Sequence, residues 1–277
     1  MTSSNPELGS SVVVGDIRVN YLDGGSGNSV PVVLLHGSGP GVTGYANWRL
    51  LLPRLSARFH TVAPDVVGFG YTDRPAGFDY TLDNWLSFLC GLLDALPIKR
   101  AHFIGNSFGG ALALALAARH PERVDRLILM GAAGLDFTLT PGLDAVWGYE
   151  PSASAMRELM RLFAYDQTLI SEAIVESRYQ ASIRPGYQES YAQLFPAPRQ
   201  RHIQRLATPE AVIAALPHRT LLFHGREDQI IPLSSSLRLH QLIKHSELHV
   251  FGECGHWTQV EKHEQFADMV EQFLLRT

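Results

Sequence analysis

Short apolar runs alternate with amphipathic stretches along most of this chain. Six runs are apolar on both faces, at residues 32–35, 61–63, 101–104, 127–130, 220–223 and 248–251. Strands without polar alternation are typical of parallel sheets that helices cover on both sides. Helical patterns separate or follow these runs, at residues 84–96, 109–119, 234–242 and 264–275. The alternation predicts an α/β fold with a mostly parallel, doubly wound sheet.

The N-terminal region and the middle of the chain depart from this rhythm. Residues 11–22 predict a β-hairpin with Gly15 and Asp16 in its turn, which would add antiparallel strands to one sheet edge. Between residues 135 and 206 the pattern contains no strand and predicts helices at 153–163, 168–179 and around 188–194. We expect residues 135–206 to form a helical lid inserted between core strands, over the strand ends where α/β sheets bind ligands. Residues 1–134 and 207–277 would form the core, and a separate small helical domain is the alternative for the insertion.

Composition and charge narrow the classes of function. The 277 residues are 45% hydrophobic, which is enough to bury the core of one large α/β domain. The net charge is −4 and the basic residues are scattered, which argues against a surface for nucleic acid or anionic membranes. The sequence shows neither a signal-peptide pattern nor an apolar stretch of about 18 residues, so we expect a cytoplasmic protein. Cys90 and Cys254 are expected to be free thiols, and no metal-ligand spacing is present.

The strongest chemical signal is the segment Gly105-Asn106-Ser107-Phe108-Gly109. It follows the predicted strand at 101–104 and opens the predicted helix at 109–119, which is the context of a nucleophile elbow of the type G-x-S-x-G. Glycines are needed on both sides because side chains would clash in so tight a turn. The segment predicts Ser107 as a nucleophile exposed at the sheet edge.

A serine hydroxyl is a weak nucleophile, so it needs a base that an acid orients. In hydrolases with such an elbow the chain order is serine, acid, histidine. Asp228 follows the predicted strand at 220–223 and His256 follows the strand at 248–251. Both side chains are therefore expected to converge on Ser107. Glu227 is the competing acid, but Asp228 fits the usual spacing better.

A glycine-rich turn at residues 36–41 follows the strand at 32–35. Such a turn exposes backbone N–H groups, and we predict that those of Ser38 and Phe108 form an oxyanion hole. A phosphate-binding loop is the alternative, but the turn lacks the Gly-Lys-Ser/Thr ending. His36 is expected to support the turn and not to act as a catalyst.

Motifs across nearly the whole chain resemble the carbon–carbon bond hydrolases of meta-cleavage products of aromatic catabolism, a family with the α/β-hydrolase fold. They lie at residues 36–41, 47–49, 64–65, 68–70, 105–110, 129–134, 144–149, 196–201, 224–232 and 255–259. The resemblance implies hydrolysis of the C5–C6 bond of 2-hydroxy-6-oxohexa-2,4-dienoates, with 2-hydroxymuconate semialdehyde or short 6-alkyl analogues as substrates. The products would be 2-hydroxypenta-2,4-dienoate and a carboxylic acid, and no metal or organic cofactor would be needed. A general carboxylesterase with the same triad is the alternative.

The resemblance also implies how the substrate is held. Its carboxylate requires a buried cation, and matching the family's lid motif assigns this role to Arg178, with Arg184 as the fallback. Polar companions are expected at Asn47, Asn106 and Trp257. The apolar wall around C6 is assigned to Ala133, Leu143, Trp147, Phe163, Ile203 and Ile231. The small Ala133 beside Trp147 indicates a modest C6 group, and a homo-oligomer is expected by analogy alone.

Overall fold

A computed structural model describes residues 5–26 and 30–276, which form an eight-stranded sheet in the order β1-β2-β4-β3-β5-β6-β7-β8. The strands are β1 (Ser10–Val14), β2 (Ile17–Gly24), β3 (Val32–Leu35), β4 (Thr61–Pro64), β5 (Ala101–Asn106), β6 (Val124–Met130), β7 (Arg219–Gly225) and β8 (Ser246–Phe251). The β1–β2 and β2–β4 pairs are antiparallel, and the other five pairs are parallel. The mostly parallel sheet and the edge hairpin are thus confirmed. Residues 1–4, 27–29 and 277, which the predicted core segments include, lie outside the described residues.

Helices separate the strands and cover both faces of the sheet. Those in the described part of the chain are α1 (Gly44–Trp48), α2 (Leu52–Ser56), α3 (Leu82–Ala95), α4 (Phe108–Arg119), α5 (Pro141–Trp147), α6 (Ala153–Phe163), α7 (Glu172–Ser182), α8 (Tyr187–Leu194), α9 (Gln200–Leu206), α10 (Glu210–Ala214), α11 (Leu233–Leu242), α12 (Thr258–Glu261) and α13 (His263–Leu275). The predicted helices correspond to α3, α4, α6, α7, α8, α11 and α13. The others have four to seven residues, too few for a helical period to stand out in the sequence.

Local capping explains where several helices begin. The side chain of Thr81 accepts the N–H of Asn84 at the start of α3, and Ser152 caps α6 in the same way through the N–H of Ala155. The helix that was predicted from residue 168 begins at 172 instead. Ser171 accepts the N–H of Ile174 there, and a short 3₁₀ turn at Gln167–Leu169 precedes it. Such caps satisfy N–H groups that have no partner inside a helix.

The buried side chains form two cores, one on each face of the sheet. Phe103 and Ile104 are neighbours in β5, both are fully buried, and they belong to different cores. One core packs the sheet against α3 and α4, and the other packs it against α13. The central strands β3, β4 and β5 are therefore buried on both faces, which explains their continuous apolar runs. The edge strand β8 is not buried in this way, since its His249 and Val250 are exposed.

The helices between β6 and β7 lie against the turn that follows β3. The Tyr191 hydroxyl of α8 donates to the carbonyl oxygens of Ser38, at 3.0 Å, and Val146, at 2.7 Å. The Tyr187 hydroxyl accepts the backbone N–H of Gly41 at 2.9 Å. These bonds bring the helical insertion over the carboxyl end of β3. None of the helices in the described residues is long and apolar enough to cross a membrane.

Candidate active site

Ser107 lies in a strained turn between β5 and α4. Its φ is 54° and its ψ is −114°, in the left-handed half of the backbone map that L-residues rarely adopt. A Cβ atom on Gly105 would lie 2.5 Å from the carbonyl oxygen of Gly109, and one on Gly109 would lie 2.3 Å from that of Leu35. Both positions therefore exclude a side chain. This geometry is that of the nucleophile elbow predicted from the sequence.

Asp228 and His256 form a buried hydrogen-bonded pair. His256 Nδ1 lies 2.7 Å from Asp228 Oδ2, while Asp228 Oδ1 accepts the backbone N–H groups of Ile230 and Ile231 at 2.7 and 3.0 Å. Burial raises the pKa of Asp228, but the interactions with His256, His224 and the Ile230 N–H outweigh it and hold that pKa below its ordinary value. The carboxylate therefore stays ionised and fixes the imidazole with a proton on Nδ1, which leaves Nε2 as the free base.

The competing acid, Glu227, is directed elsewhere. Its carboxylate accepts the backbone N–H of Cys254 at 3.0 Å and pairs with Arg226 at 2.8 Å. Glu227 thus helps to hold the loop that carries His256, and Asp228 is the acid bonded to that imidazole.

Ser107 and His256 line the same cavity, which has a volume of about 630 Å³. No hydrogen bond joins their side chains within residues 5–26 and 30–276. In ligand-free enzymes the bond between nucleophile and base is often long, and it tightens when substrate binds. The structure brings the two side chains to one cavity, and their direct hydrogen bond stays a prediction.

The turn after β3 holds Ser38 in place at the cavity wall. Ser38 Oγ accepts the indole N–H of Trp147 at 3.0 Å, and its carbonyl oxygen accepts the Tyr191 hydroxyl. Phe108 provides the first N–H of α4, which has no acceptor inside its helix. The positive end of the α4 dipole also favours negative charge at this point. Ser38 lines the cavity, whereas Phe108 is not among its lining residues, so the oxyanion hole stays a prediction.

His36 supports this turn from below. Its Nε2 accepts the backbone N–H of Val66 at 3.0 Å, so the proton resides on Nδ1, which lies 2.7 Å from the Gly37 carbonyl oxygen. Complete burial lowers the pKa of His36 to about 4. The imidazole is thus neutral at pH 7, and its two hydrogen bonds support the turn, as predicted.

The polar residues predicted to hold the substrate share the cavity with Ser107. Asn47, Asn106, Arg178 and Trp257 all line it. Arg178 is not a bare cation, since its Nη2 lies 2.9 Å from Glu7 Oε1 and its Nη1 donates to the Gly41 carbonyl oxygen at 3.1 Å.

The fallback cation, Arg184, is not among the residues that line the cavity. Its guanidinium lies over the Tyr71 ring, 4.1 Å from the centroid, and 3.7 Å from Glu7. A second cavity arginine, Arg49, was not predicted. It is the last residue of the motif at residues 47–49, and this position and its basic side chain were the available signals.

The apolar wall differs in part from the prediction. Leu143 and Phe163 line the cavity, whereas Ala133, Trp147, Ile203 and Ile231 are not among its lining residues. Trp147 stacks on Phe195 with 4.2 Å between ring centroids and directs its N–H to Ser38, so it packs behind the wall. Other apolar residues, missed by the sequence reasoning, line it in their place: Val146, Met156, Met160, Leu169, Ile174 and Ile230. The i, i+4, i+7 spacing of Met156, Met160 and Phe163 on α6 was the available signal.

The end of α6 is joined directly to the loop that carries His256. The Phe163 carbonyl oxygen accepts the backbone N–H groups of His256, at 2.7 Å, and Trp257, at 3.3 Å. The Phe163 ring stacks on the Trp257 indole at 5.1 Å and lies 5.8 Å from the His256 imidazole. The helical insertion therefore supplies part of the surroundings of the base.

The comparisons with known proteins agree with this geometry. The family model described as alpha/beta hydrolase fold matches residues 30–263. The chain is 55% identical to the 2-hydroxymuconate semialdehyde hydrolase of Pseudomonas sp. (strain CF600), over 98% of this chain and 95% of that protein. It is also 55% identical to a 2-hydroxy-6-oxo-2,4-heptadienoate hydrolase of Pseudomonas putida, over 99% of each chain. A solved meta-cleavage product hydrolase from Pseudomonas fluorescens IP01 superimposes with a TM-score of 0.95 at 53% identity, covering 97% of this chain and 98% of that one. The chain therefore belongs to the α/β-hydrolase fold family and, within it, to the meta-cleavage product hydrolases.

Proposed function

We propose that this protein hydrolyses the C5–C6 bond of 2-hydroxy-6-oxohexa-2,4-dienoates, with 2-hydroxymuconate semialdehyde or its short 6-alkyl analogues as substrates. The observation that carries the proposal is that Ser107 and His256 share one cavity with two arginines, Arg49 and Arg178. A neutral ester needs no cation, whereas an anionic dienoate in an apolar cavity does. The two relatives at 55% identity are named for the aldehyde and for the methyl ketone of this substrate class.

In the proposed chemistry Asp228 orients His256, His256 transfers protons in two steps, and Ser107 acts at the C6 carbonyl. Cleavage of a carbon–carbon bond requires that the electrons left on C5 be stabilised, so the dienol first becomes the 2-keto form through proton transfer to C5. His256 moves that proton, because Asp228 leaves its Nε2 unprotonated. Ser107 then acts at the C6 carbonyl with His256 as its base, and C5 leaves as a dienolate conjugated with the C2 carbonyl. Water supplies the hydroxyl group of the carboxylic acid product.

The surrounding residues assist these steps in the proposed mechanism. The N–H groups of Ser38 and Phe108 bind the oxyanion at C6, where losing one donor typically costs about 3 kcal/mol of transition-state stabilisation. Arg178 and Asn106 hold the carboxylate and the C2 oxygen, with Asn47 and Trp257 beside them. Residues 135–206 act as the lid, and residues 1–134 with 207–277 act as the core. Leu143 and Phe163, with the methionines of α6, surround the C6 group.

The test uses the yellow colour of the ring-fission product. We expect the purified protein to remove the absorbance of 2-hydroxymuconate semialdehyde and of its 6-methyl analogue, with 2-hydroxypenta-2,4-dienoate as product. Ser107→Ala is expected to lower kcat by at least about a thousandfold while the unfolding midpoint stays near that of the wild type. If p-nitrophenyl acetate is hydrolysed well while the ring-fission products stay untouched, the protein is an esterase and the proposal is wrong.

A further inference from the structure

We infer that Arg49 determines the specificity of the cavity for an anionic substrate, by supplying a positive charge that no carboxylate of the described residues pairs with. The inference rests on the proposed function, since it concerns the carboxylate of the dienoate. It adds to the substrate site a residue outside the set assigned by family resemblance.

The charge of Arg178 is largely compensated by Glu7. Glu7 Oε1 lies 2.9 Å from Arg178 Nη2, and the side chains of the pair are only 11% and 22% exposed. Thr43 Oγ1 donates to the same Glu7 oxygen at 3.3 Å, which fixes the carboxylate further. Glu7 also lies 3.7 Å from Arg184, which is outside the cavity lining, so its negative charge is shared, with Arg178 as the nearer partner. An arginine held by a buried carboxylate still offers N–H donors, but much of its charge is offset before a substrate binds.

Arg49 has no carboxylate partner among the described residues. It directly follows α1, and its Nη1 donates to the carbonyl oxygen of Ala46 at 2.7 Å. No ion pair involves Arg49 in the part of the chain that the structure describes. Arg49 and Arg178 are the two arginines of the cavity lining, so only one of them enters the cavity unpaired.

The positive charges of Arg49 and Arg178 disfavour each other. Burial lowers the pKa of Arg49, and the positive charge of Arg178 lowers it further. Two like charges that line one partly buried cavity raise the free energy of the empty site, and an anion that binds beside Arg49 relieves this cost. A carboxylate with a single negative charge matches the single unpaired cation.

The unpaired charge of Arg49 predicts that the cavity distinguishes anionic from neutral ligands. A dienoate gains from Arg49 through its carboxylate, whereas a neutral molecule of the same shape gains nothing. Hexa-2,4-dienoate and its amide are suitable probes, because neither has the C6 ketone that the reaction requires. Their competition with substrate reports the binding of charge without any chemical step.

The experiment measures the inhibition constants of hexa-2,4-dienoate and hexa-2,4-dienamide for the wild type, Arg49→Gln and Arg49→Lys. We expect Arg49→Gln to weaken the binding of the acid about tenfold, to raise KM for the dienoate substrate similarly, and to leave the amide unchanged. Arg49→Lys should recover most of the loss, since it restores the charge. Arg238→Gln is the matched control, because Arg238 pairs with Glu210 on the surface.

Each result decides the inference. If Arg49→Gln weakens the binding of acid and amide equally, Arg49 has only a structural role. If it changes the binding of neither, the charge of Arg49 does not contribute to binding. If Arg49→Lys does not restore the binding of hexa-2,4-dienoate, the inference is also overturned. If instead the wild type leaves every ring-fission product untouched, the proposed function is wrong, while calorimetric titration of the two probes into each variant still measures the effect of Arg49.

Discussion

Glu261 Oε1 accepts the backbone N–H of Gly255, the residue directly before His256, at 2.8 Å. The other carboxylate oxygen, Oε2, accepts the N–H groups of Tyr165 and Asp166, both at 2.8 Å. One half-buried side chain thus joins the loop of the base to the segment that follows α6. Burial raises the pKa of Glu261, and the three donated N–H groups oppose that rise.

Replacing Glu261 by glutamine should uncouple these two segments. An amide keeps one carbonyl oxygen but presents an NH₂ group to a backbone N–H, so at least one bond is lost and a repulsive contact replaces it. Because hydrogen bonds to charged groups are worth about 1.5–3 kcal/mol each, we expect Glu261→Gln to lower the free energy of unfolding by that order. We also expect kcat for the ring-fission product to fall about tenfold as His256 loses its position.

The control for this change is Glu264→Gln, three residues further along, where the side chain is 79% exposed. It removes the same charge from the same region of the chain. Chemical denaturation and steady-state kinetics on both variants separate the two effects. Equal behaviour of the two variants would show that the bonds of Glu261 do not hold the histidine loop.

Asp228→Asn should abolish most activity without unfolding the protein. The asparagine amide can donate to His256 Nδ1, which places the imidazole proton on Nε2 and removes the base. By comparison with the same change in a serine protease, we expect kcat to fall by about four orders of magnitude. Steady-state turnover of the ring-fission product is the measurement, and a loss below tenfold would contradict the role of Asp228.

The backbone of Ser107 should hold measurable strain. With φ at 54°, a residue with a Cβ atom costs about 1–3 kcal/mol at this position, and glycine avoids that cost while losing about 0.5–1 kcal/mol of chain entropy. Ser107→Gly is therefore expected to be more stable than Ser107→Ala by about 1 kcal/mol. Denaturant unfolding of these two inactive variants tests this directly. An alanine variant as stable as the glycine variant would mean that the elbow is unstrained.

Acid should destabilise the protein through His36. Its pKa is lowered to about 4 in the folded chain, below the ordinary 6.5, so the unfolded chain binds more protons between those two values. The stability that neutral His36 confers is fully present above pH 6.5 and is lost as the pH falls towards 4. The slope reaches at most about 1.4 kcal/mol per pH unit for one such group.

His36→Asn should remove this contribution. The variant is expected to show a shallower decline of the free energy of unfolding between pH 6.5 and 4, measured by denaturant titration at several pH values. Burial also lowers the pKa of His102 to about 4. Because His102 is present in both proteins, part of the pH dependence of the free energy of unfolding remains in the variant. Identical slopes for variant and wild type would show that His36 is protonated without cost in the folded chain.

Much of the fold, the elbow at Ser107 and the Asp228–His256 pair could be predicted because their signals are local. Ser107 lies among glycines that only a tight turn requires, and Asp228 and His256 each follow an apolar strand. Parallel strands end at one edge of a sheet, so residues far apart in sequence converge there without any knowledge of packing. The hydrogen-bonded pair of Asp228 and His256 follows from this rule.

The sequence by itself determined the sheet, the elbow and the chemical types at its edge, because strand period and turn chemistry are properties of neighbouring residues. Only the tertiary structure decided which side chains face the cavity, since that depends on how helices from distant segments rotate against one another. It placed Met160 at the cavity and Trp147 behind the wall, and it paired Arg178 with Glu7, 171 residues away, while Arg49 stayed unpaired within the described residues. Long-range pairing of charges leaves no periodic trace in a chain, because the two partners are matched by packing and not by spacing.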